Sequence, residues 1–190
     1  LLASSAASDV YKRQGNAQQI QQNIEEYGYT VAASLDQNKS KIGSLTEEAL
    51  VRLKGQADCI LIEADGAKRL PLKVPGEWEP VIPDFTDLVV GVIGMDAVGQ
   101  MIRESCHRPE RVAAFLNKEQ TDPVTKADVI RIAVSDKALK KAVGRRPYKI
   151  FLNKTDLMGK YESAERIGKE LQEQGVHAAW GSLQGREYYR

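Results

Sequence analysis

The stretch CILIEADGAK, residues 59–68, begins with apolar side chains and ends with two carboxylates, a glycine and a lysine. Its apolar part is typical of a buried strand, and continuous apolar runs of this kind favour parallel strands covered on both faces. A core strand has no need of the charged cluster, whereas a ligand site at the carboxyl end of a strand does. The stretch therefore predicts a buried parallel strand with a site where it ends.

Two later apolar stretches end in the same way. DLVVGVIGMDAVG (87–99) and YKIFLNKTDL (148–157) both run from a continuous apolar segment into polar or glycine residues. In open α/β sheets the carboxyl ends of parallel strands form the edge at which ligands bind. We therefore expect three polar clusters to share one edge. These clusters are Glu63, Asp65 and Gly66; Gly94, Asp96 and Gly99; and Asn153, Lys154 and Asp156.

Helical patterns separate the apolar stretches. Helices are expected at 16–27, 44–56, 109–119, 124–143 and 162–175, and further strands at 29–35 and 176–183. Thr46 is placed to cap the start of the second helix, and Gly28 and Gly175 are placed to end two others. Strands that alternate with helices predict an α/β fold with a mostly parallel sheet and helices on both of its faces.

The composition narrows the class of protein. The chain has 190 residues, enough for one domain with a sizeable core. Its formal net charge of +1 gives no reason to expect a nucleic-acid partner or a membrane surface, and no apolar run approaches the roughly 20 residues that cross a bilayer. We expect Cys59 inside a strand and Cys106 in a polar loop, which predicts no structural disulfide and a reducing, cytoplasmic setting.

The first fourteen residues, LLASSAASDVYKRQ (1–14), differ from the rest of the chain. They are mostly small, polar and aperiodic, without the basic start and apolar segment of a signal peptide. We interpret them as a non-native leader. Residues 15–190 are then expected to form a single α/β domain that lacks its own amino-terminal part.

The sequence NKTD at 153–156 matches N-K-x-D, the base-reading motif of GTP-binding proteins. The carboxylate of Asp156 can accept two hydrogen bonds from the ring N–H and exocyclic amine of guanine, which adenine does not offer in that arrangement. The amide of Asn153 can serve the other base edge, and the stem of Lys154 can lie over the ring. Ser182, after Gly181 at the end of the next strand, is expected in a second base-contacting loop. The alternative is that both segments are ordinary strand ends and turns.

The cluster after residue 62 resembles the second acidic motif of phosphate-binding-loop NTPases. Alternation along a strand places Glu63 and Asp65 on one face, where both can serve one Mg²⁺ ion. Lys68 and Lys73 can neutralise phosphate oxygens. The alternative is a solvated strand end with a carboxylate–lysine pair.

The next segment, VPGEWEPVIP (74–83), is stiffened by three prolines. A stiff loop loses little conformational entropy on binding, so this one is suited to a partner, unless Trp78 simply packs onto the core. Downstream, Cys106 and His107 lack further ligands at zinc spacing, so we expect no zinc site. His107 and Arg108 are interpreted as polar loop groups that can meet an anion, and His177 as structural.

These motifs together resemble the YqeC family, accessory proteins of selenium-dependent molybdenum hydroxylases that are also described as selenium cofactor biosynthesis proteins. The motifs that carry the resemblance are KIGSL (41–45), EADGAK (63–68), PLKVP (71–75), EPVIP (79–83), GMDAVG (94–99), His107 with Arg108, and NKTD (153–156). The family implies a P-loop NTPase-like fold with a glycine-rich phosphate loop near its start. No G-x-x-x-x-G-K-[ST] pattern occurs in this chain, so we expect that loop to be missing and the chain to be inactive by itself.

The resemblance implies a function in maturing or inserting a molybdenum hydroxylase cofactor, through Mg²⁺-dependent binding or hydrolysis of GTP or ATP, with GTP favoured. The hydroxylase or its cofactor would be the partner. Two alternatives stay open: a small-molecule kinase or nucleotidyltransferase on the same scaffold, and a non-enzymatic docking module for the hydroxylase. The implied roles are as follows: Glu63, Asp65 and Lys68 catalytic, the first two also as metal ligands; Asn153, Lys154, Asp156 and Ser182 on the nucleotide; and Lys73, Glu79, Asp96, His107 and Arg108 on the second substrate or partner.

Overall fold

The structure of the chain is a computed structural model that describes residues 2–3, 17–32, 34–35, 42–43, 45–183 and 187–189. The chain divides into two compact units, Leu1–Gly66 and Ala67–Arg190. Both units combine strands with helices, and both contain parallel strand pairs. The predicted α/β class is therefore confirmed.

The first unit holds a small parallel sheet with two helices. Its elements are β1 (Leu2–Ala3), α1 (Ala17–Tyr27), β2 (Val31–Ala32), β3 (Ser34–Leu35), β4 (Ile42–Gly43), α2 (Glu47–Leu53) and β5 (Leu61–Ile62). Strand β1 lies between β2 and β5 and is parallel to both, while β3 and β4 form an antiparallel pair. Helix α1 ends at Gly28, whose φ of +77° suits glycine, and Thr46 caps α2 by accepting a hydrogen bond from the amide of Ala49.

Strands β5 and β1 of the first unit concern two predictions made from the sequence. The apolar run from Cys59 was predicted as a buried strand, but β5 has only two residues, Leu61 is 58% exposed and Cys59 is exposed. Prediction of a long buried strand was wrong because its apolar residues are not covered on both sides. Strand β1 lies within residues 1–14, most of which are outside the described residues, so the interpretation of that segment as a leader stays a prediction.

The second unit is built around a four-stranded sheet in the order β11-β10-β9-β7. Its elements are β6 (Leu72–Lys73), β7 (Val89–Gly94), a 3-10 turn (Met95–Ala97), α3 (Ile102–Ser105), β8 (Cys106–His107), α4 (Pro109–Leu116), α5 (Lys126–Val134), β9 (Tyr148–Asn153), α6 (Lys160–Glu173), β10 (His177–Ser182) and β11 (Glu187–Tyr189). Strands β7, β9 and β10 run parallel, and β11 is antiparallel to β10. A separate parallel pair joins β6 to β8.

The core of the second unit follows from alternation along these strands. Ile93, Leu152 and Trp180 occupy paired positions on one sheet face, and all three are buried. On β7 the residues that alternate with them, Val90 and Val92, are 48% and 54% exposed. The prediction of helices over both faces of the sheet is therefore wrong at this strand, because its second face is open to solvent.

Two further expectations for the second unit were wrong. The helix expected over 124–143 ends at Val134, because Ser135 adopts an extended backbone and its side chain accepts a hydrogen bond from the amide of Lys137. Cys106 is buried in β8 rather than placed in a polar loop, and burial raises the pKa of its thiol. Neither Cys106 nor Cys59 forms a disulfide in the structure.

Within the described ranges, none of the helices combines the length and the apolar composition that crossing a bilayer requires.

Candidate functional site

The carboxyl ends of β7 and β9 meet through an ion pair. Register pairs Gly94 with Asn153, so both strands end at the same level of the sheet. The ammonium of Lys154 lies 2.5 Å from Oδ2 of Asp96. The predicted meeting of these two polar clusters at one sheet edge is confirmed within the second unit.

The segment 153–156 also contacts the end of β10. The side-chain oxygen of Asn153 accepts hydrogen bonds from the amides of Lys154 and Leu183, at 2.8 and 3.2 Å. The amide of Thr155 donates to the carbonyl of Gly181 at 3.3 Å. The edge formed by residues 153–156 with 181–183 is called the base edge below. The adjacency of its two loops was predicted from their order along the chain.

Side chains of the base edge differ in exposure. Asp156 is exposed, so its carboxylate can meet a ligand. Ser182 is only 2% exposed, so its side chain is not presented on the surface. Asn153 holds the two loops together with its oxygen, and this bracing function was not foreseen in the sequence. Whether these residues contact a nucleotide stays a prediction.

Close backbone packing supports the Asp96 side of the edge. The amide of Gly94 donates to the carbonyl of Pro71 at 2.9 Å. A Cβ at Gly94 would lie 2.4 Å from Oδ1 of Asp96 and 2.6 Å from Cβ of Pro71, so only glycine fits. Oδ1 of Asp96 is buried and accepts no hydrogen bond, although Oδ2 binds Lys154.

A second cluster surrounds the carboxylate of Glu79. Its Oε2 accepts from the amide of Gly76 at 3.1 Å, the ammonium of Lys73 at 3.0 Å and the guanidinium of Arg108 at 2.8 Å, and Arg108 also donates to Oε1. Burial opposes ionisation, but these hydrogen bonds outweigh it and lower the pKa of Glu79 to about 2. We call this arrangement the Glu79 clasp. It joins Lys73, Glu79 and Arg108, which the sequence had assigned together to a substrate or partner.

His107 borders the Glu79 clasp. It stands opposite Lys73 in the parallel β6–β8 pair, so the two side chains lie on the same side. Burial, followed by the positive charges of Arg108, Lys73 and Lys68, lowers the pKa of His107, with Glu79 opposing. The imidazole is therefore neutral near pH 7.

The proline-rich loop is held at its base and exposed at its tip. Lys141 donates to the carbonyls of Gly76 and Glu77 at 2.5 and 2.8 Å, and Arg111 donates to the carbonyl of Pro75. Trp78 is 84% exposed, so it does not pack onto the core. The sequence gives no local signal for these contacts, because Lys141 lies 65 and 64 residues from its two acceptors and Arg111 lies 36 residues from its acceptor.

Glu63 and Asp65 follow β5 in the first unit, where both are partly buried and engaged in polar interactions. No group of three or more metal-ligating His, Cys, Asp or Glu side chains occurs among the residues that the structure describes. A pair of carboxylates is nevertheless sufficient for Mg²⁺, which usually keeps several waters and takes one or two protein carboxylates. The metal site at Glu63 and Asp65 therefore stays a prediction. The two carboxylates are of the type that Mg²⁺ binds.

The part of the chain that carries most of these motifs matches a known protein family. A family model described as "YqeC protein" matches residues 3–110. This chain belongs to the YqeC family. The matched range contains Glu63 and Asp65, the proline-rich loop, Asp96 and the pair His107 and Arg108, whereas the base edge lies beyond it.

One curated relative carries a description that names only the family. The chain is 28% identical over 152 residues to the "Uncharacterized protein YqeC" of Escherichia coli (strain K12). That alignment covers 77% of this chain and 59% of the relative, so the chain spans about three fifths of the length of the YqeC protein it matches. No solved structure matches the chain.

Proposed function

We propose that this YqeC protein binds a purine nucleotide at the base edge, with guanine favoured over adenine. The observation that carries the proposal is the pair of hydrogen bonds from the amides of Lys154 and Leu183 to the side chain of Asn153. They fix segment 153–156 against the neighbouring strand end and leave Asp156 exposed. An exposed carboxylate held by a rigid loop is suited to the two adjacent N–H donors of guanine.

Lys154 has a supporting function in this proposal. Its backbone φ of 64° is unusual for a residue other than glycine, and its ammonium is held by Asp96. The ion pair fixes the aliphatic stem along the edge, where it can form a floor under a planar base. Asp96 then acts as a positioning residue for the nucleotide.

We also propose that the bound nucleotide carries Mg²⁺ on its phosphates. Glu63 and Asp65 would hold Mg²⁺, directly or through water, as expected of a P-loop NTPase-like fold. Bound Mg²⁺ would supply charge stabilisation for phosphoryl oxygens. Any hydrolysis would rest on positioning and electrostatics, without a covalent intermediate.

We place this binding in the maturation or insertion of a selenium-dependent molybdenum hydroxylase cofactor, because that is what the motif resemblance implies. Nucleotide binding would then order the protein for delivery of the cofactor to the hydroxylase. This assignment stays a proposal for the whole YqeC protein, because the alignment covers 59% of the length of the relative.

Calorimetric titration tests the nucleotide proposal. GTP, GDP and ATP are titrated with Mg²⁺ against this chain and against a version extended to the length of its relatives. We expect the guanine nucleotides to bind at least tenfold more tightly than ATP, and Asp156→Ala to remove that preference. Glu173→Ala, an exposed carboxylate in α6, is the control. Equal affinity for GTP and ATP in the extended protein would exclude guanine recognition.

One observation favours docking as a second function. Trp78 is 84% exposed on a loop whose base is fixed by the Glu79 clasp and by Lys141. A large aromatic side chain on a rigid loop is typical of a binding hot spot, because little entropy is lost when it is buried. We expect Trp78→Ala to weaken capture of the purified hydroxylase at least tenfold. Val51→Ala, on the exposed face of α2, should leave the capture unchanged.

A further inference from the structure

Strand β7 forms one edge of the four-stranded sheet. Among the strands that the structure describes, β9 alone is hydrogen-bonded to it. The amide of Val89 donates to the carbonyl of Pro147, on the side of β9. Backbone groups of successive residues in a strand point to opposite sides, so those of Val90 and Val92 point away from β9. The amide of Gly94 follows the same alternation, because it donates to the carbonyl of Pro71.

The outer edge of β7 is open and carries no feature that would prevent pairing. Within the described part of the chain, the outward backbone groups of Val90 and Val92 form no hydrogen bond, and their side chains are 48% and 54% exposed. Edge strands are normally protected by lysine, proline or a bulge. Residues 88–94 read LVVGVIG, without charge or proline, and the pairing of β7 with β9 is continuous. The edge is therefore a template for another strand.

The sequence of this edge is nearly the same in both directions about Gly91. Val90 and Val92 flank the glycine, and Val89 and Ile93 lie outside them. In a dimer with a two-fold axis, the same surface of each subunit meets itself. Two antiparallel copies of β7 centred on Gly91 place Val90 opposite Val92 of the partner subunit, on the solvent-exposed face of the sheet. Every pair in this arrangement is apolar, so the edge is complementary to a copy of itself.

We propose that the outer edge of β7 pairs with the same edge of a second copy of this chain, antiparallel and centred on Gly91. Val90 and Val92 of the partner subunit then exchange two backbone hydrogen bonds, and the symmetry-related pair exchanges two more. The hydrogen bond between Gly94 and Pro71 limits the pairing to residues before Gly94. The interface lies in the second unit and does not depend on nucleotide binding at the base edge.

The size of this contact predicts a weak dimer. Stable protein interfaces bury roughly 1,200–2,000 Å² in total. The contact at β7 consists mainly of two half-exposed valines and a short backbone segment from each subunit, which is a smaller surface. We therefore expect self-association that depends on protein concentration, with the monomer predominant in dilute solution.

Amide hydrogen exchange of the full chain, followed by nuclear magnetic resonance, tests which groups pair. Samples span about a hundredfold range of concentration, and sedimentation measures the fraction of dimer in each. We expect exchange at Val90 and Val92 to slow at least threefold as the dimer forms. The amides of Val89 and Gly91 face β9 and are the internal reference, so their exchange should stay unchanged. A dimer in which Val90 and Val92 exchange as in the monomer would overturn the proposal.

Substitutions provide the second arm. Val92→Lys places a charge against an apolar side chain of the partner subunit and should weaken association at least tenfold. Val51→Lys, at a valine of α2 that is 52% exposed, is the matched control and should associate as the unaltered chain does.

The double variant Val90→Glu with Val92→Lys tests the register. Only antiparallel pairing centred on Gly91 places each glutamate opposite a lysine of the partner subunit, so this variant should regain association. Both substituted valines are about half exposed, so the fold should persist, which cooperative unfolding in urea verifies. Failure of the double variant to regain association would overturn the proposal. An unaltered chain that stays monomeric throughout would also overturn it and would leave the edge to a strand of another protein.

Discussion

The polar side chains of the second unit that are described above mainly hold neighbouring groups in position. Glu79 illustrates the point, because its carboxylate joins a backbone amide, a buried lysine and an arginine. The sequence indicated a charged, proline-rich segment but not that Glu79 turns inward while Trp78 turns outward. Trp78 and Glu79 are neighbours in the same proline-rich segment, so local sequence does not distinguish their orientations. Contacts from residues distant in sequence, such as Lys141, fix the loop and decide which side chain is buried.

Replacement of Glu79 by glutamine should destabilise the protein in a pH-dependent way. The ordinary pKa of 4.5 falls to about 2 in the folded chain, so the ionised carboxylate contributes about 3 kcal/mol above pH 4.5. That contribution is lost as the pH falls through about 2. Urea unfolding at pH 7 should therefore show Glu79→Gln to be about 2–4 kcal/mol less stable, with the difference shrinking toward pH 3.

Glu173→Gln, at an exposed position in the last turn of α6, is the matched control and should change stability by less than about 0.5 kcal/mol. Equal stability of Glu79→Gln and the unaltered chain at pH 7 would contradict the Glu79 clasp.

At the scale of elements, local patterns predicted starts and ends where the chain itself supplies the signal. Thr46 caps α2, and helix α6 is followed by Gly175 with φ of +77°. The predicted helix end was wrong where contacts between residues farther apart in the chain determine the backbone. Residues 136–142 have good helix formers, yet α5 ends at Val134 and the amide of Leu139 turns back to the carbonyl of Ile132.

The position of the base edge was predictable from the order and direction of the strands. Parallel strands carry their polar ends to one edge, so the meeting of Asp96 with Lys154 follows from topology. The buried position of Ser182 and the bracing by Asn153 depend on side-chain orientation, which periodicity alone does not specify.

Packing of α6 on the sheet gives a prediction at this scale. A Cβ at Gly168 would lie 2.5 Å from the ring of Trp180, which is only 5% exposed. Alanine gains about 1 kcal/mol over glycine in a helix, but overpacking typically costs 1–3 kcal/mol. The difference between these two terms is a loss of up to about 2 kcal/mol in the free energy of unfolding for Gly168→Ala, measured in urea by tryptophan fluorescence.

The comparison variant is Gly55→Ala, at a position with no atom within 4 Å of the added Cβ. It should be within about 0.5 kcal/mol of the unaltered chain. A Gly168→Ala protein that is more stable than the unaltered chain would mean that the helix propensity gain outweighs the contact with Trp180.

At the scale of the whole molecule, the chain is two compact units with separate cores. The larger core runs from Leu72 to Trp180 and lies wholly within the second unit. The smaller core, centred on Ile20 and Leu53, belongs to the first. The sequence predicts a single domain over residues 15–190, since its composition shows no boundary where the strand runs into the proline-rich segment.

We expect residues 67–190 to fold without the first unit, because their core is continuous. The Trp78→Phe form of this fragment contains a single tryptophan, Trp180, which should be shielded from acrylamide and should unfold cooperatively in urea. Trp78, at 84% exposure, should be freely quenched in the unsubstituted fragment. Emission typical of unfolded protein from the Trp78→Phe fragment in buffer would show that its core needs the rest of the chain.

We propose that the base edge of this YqeC protein recognises guanine through Asp156, so a substitution at this residue should change the base preference. Asparagine replaces one carboxylate oxygen by an amide donor, which suits the 2-oxo group of xanthine in place of the 2-amino group of guanine. Mg²⁺-dependent titrations with GTP and xanthosine triphosphate are compared for the unaltered protein and Asp156→Asn, at the full length of its relatives. We predict that the substitution lowers affinity for GTP and raises affinity for xanthosine triphosphate, each by at least tenfold. An unchanged ratio of the two affinities would contradict base recognition at this edge.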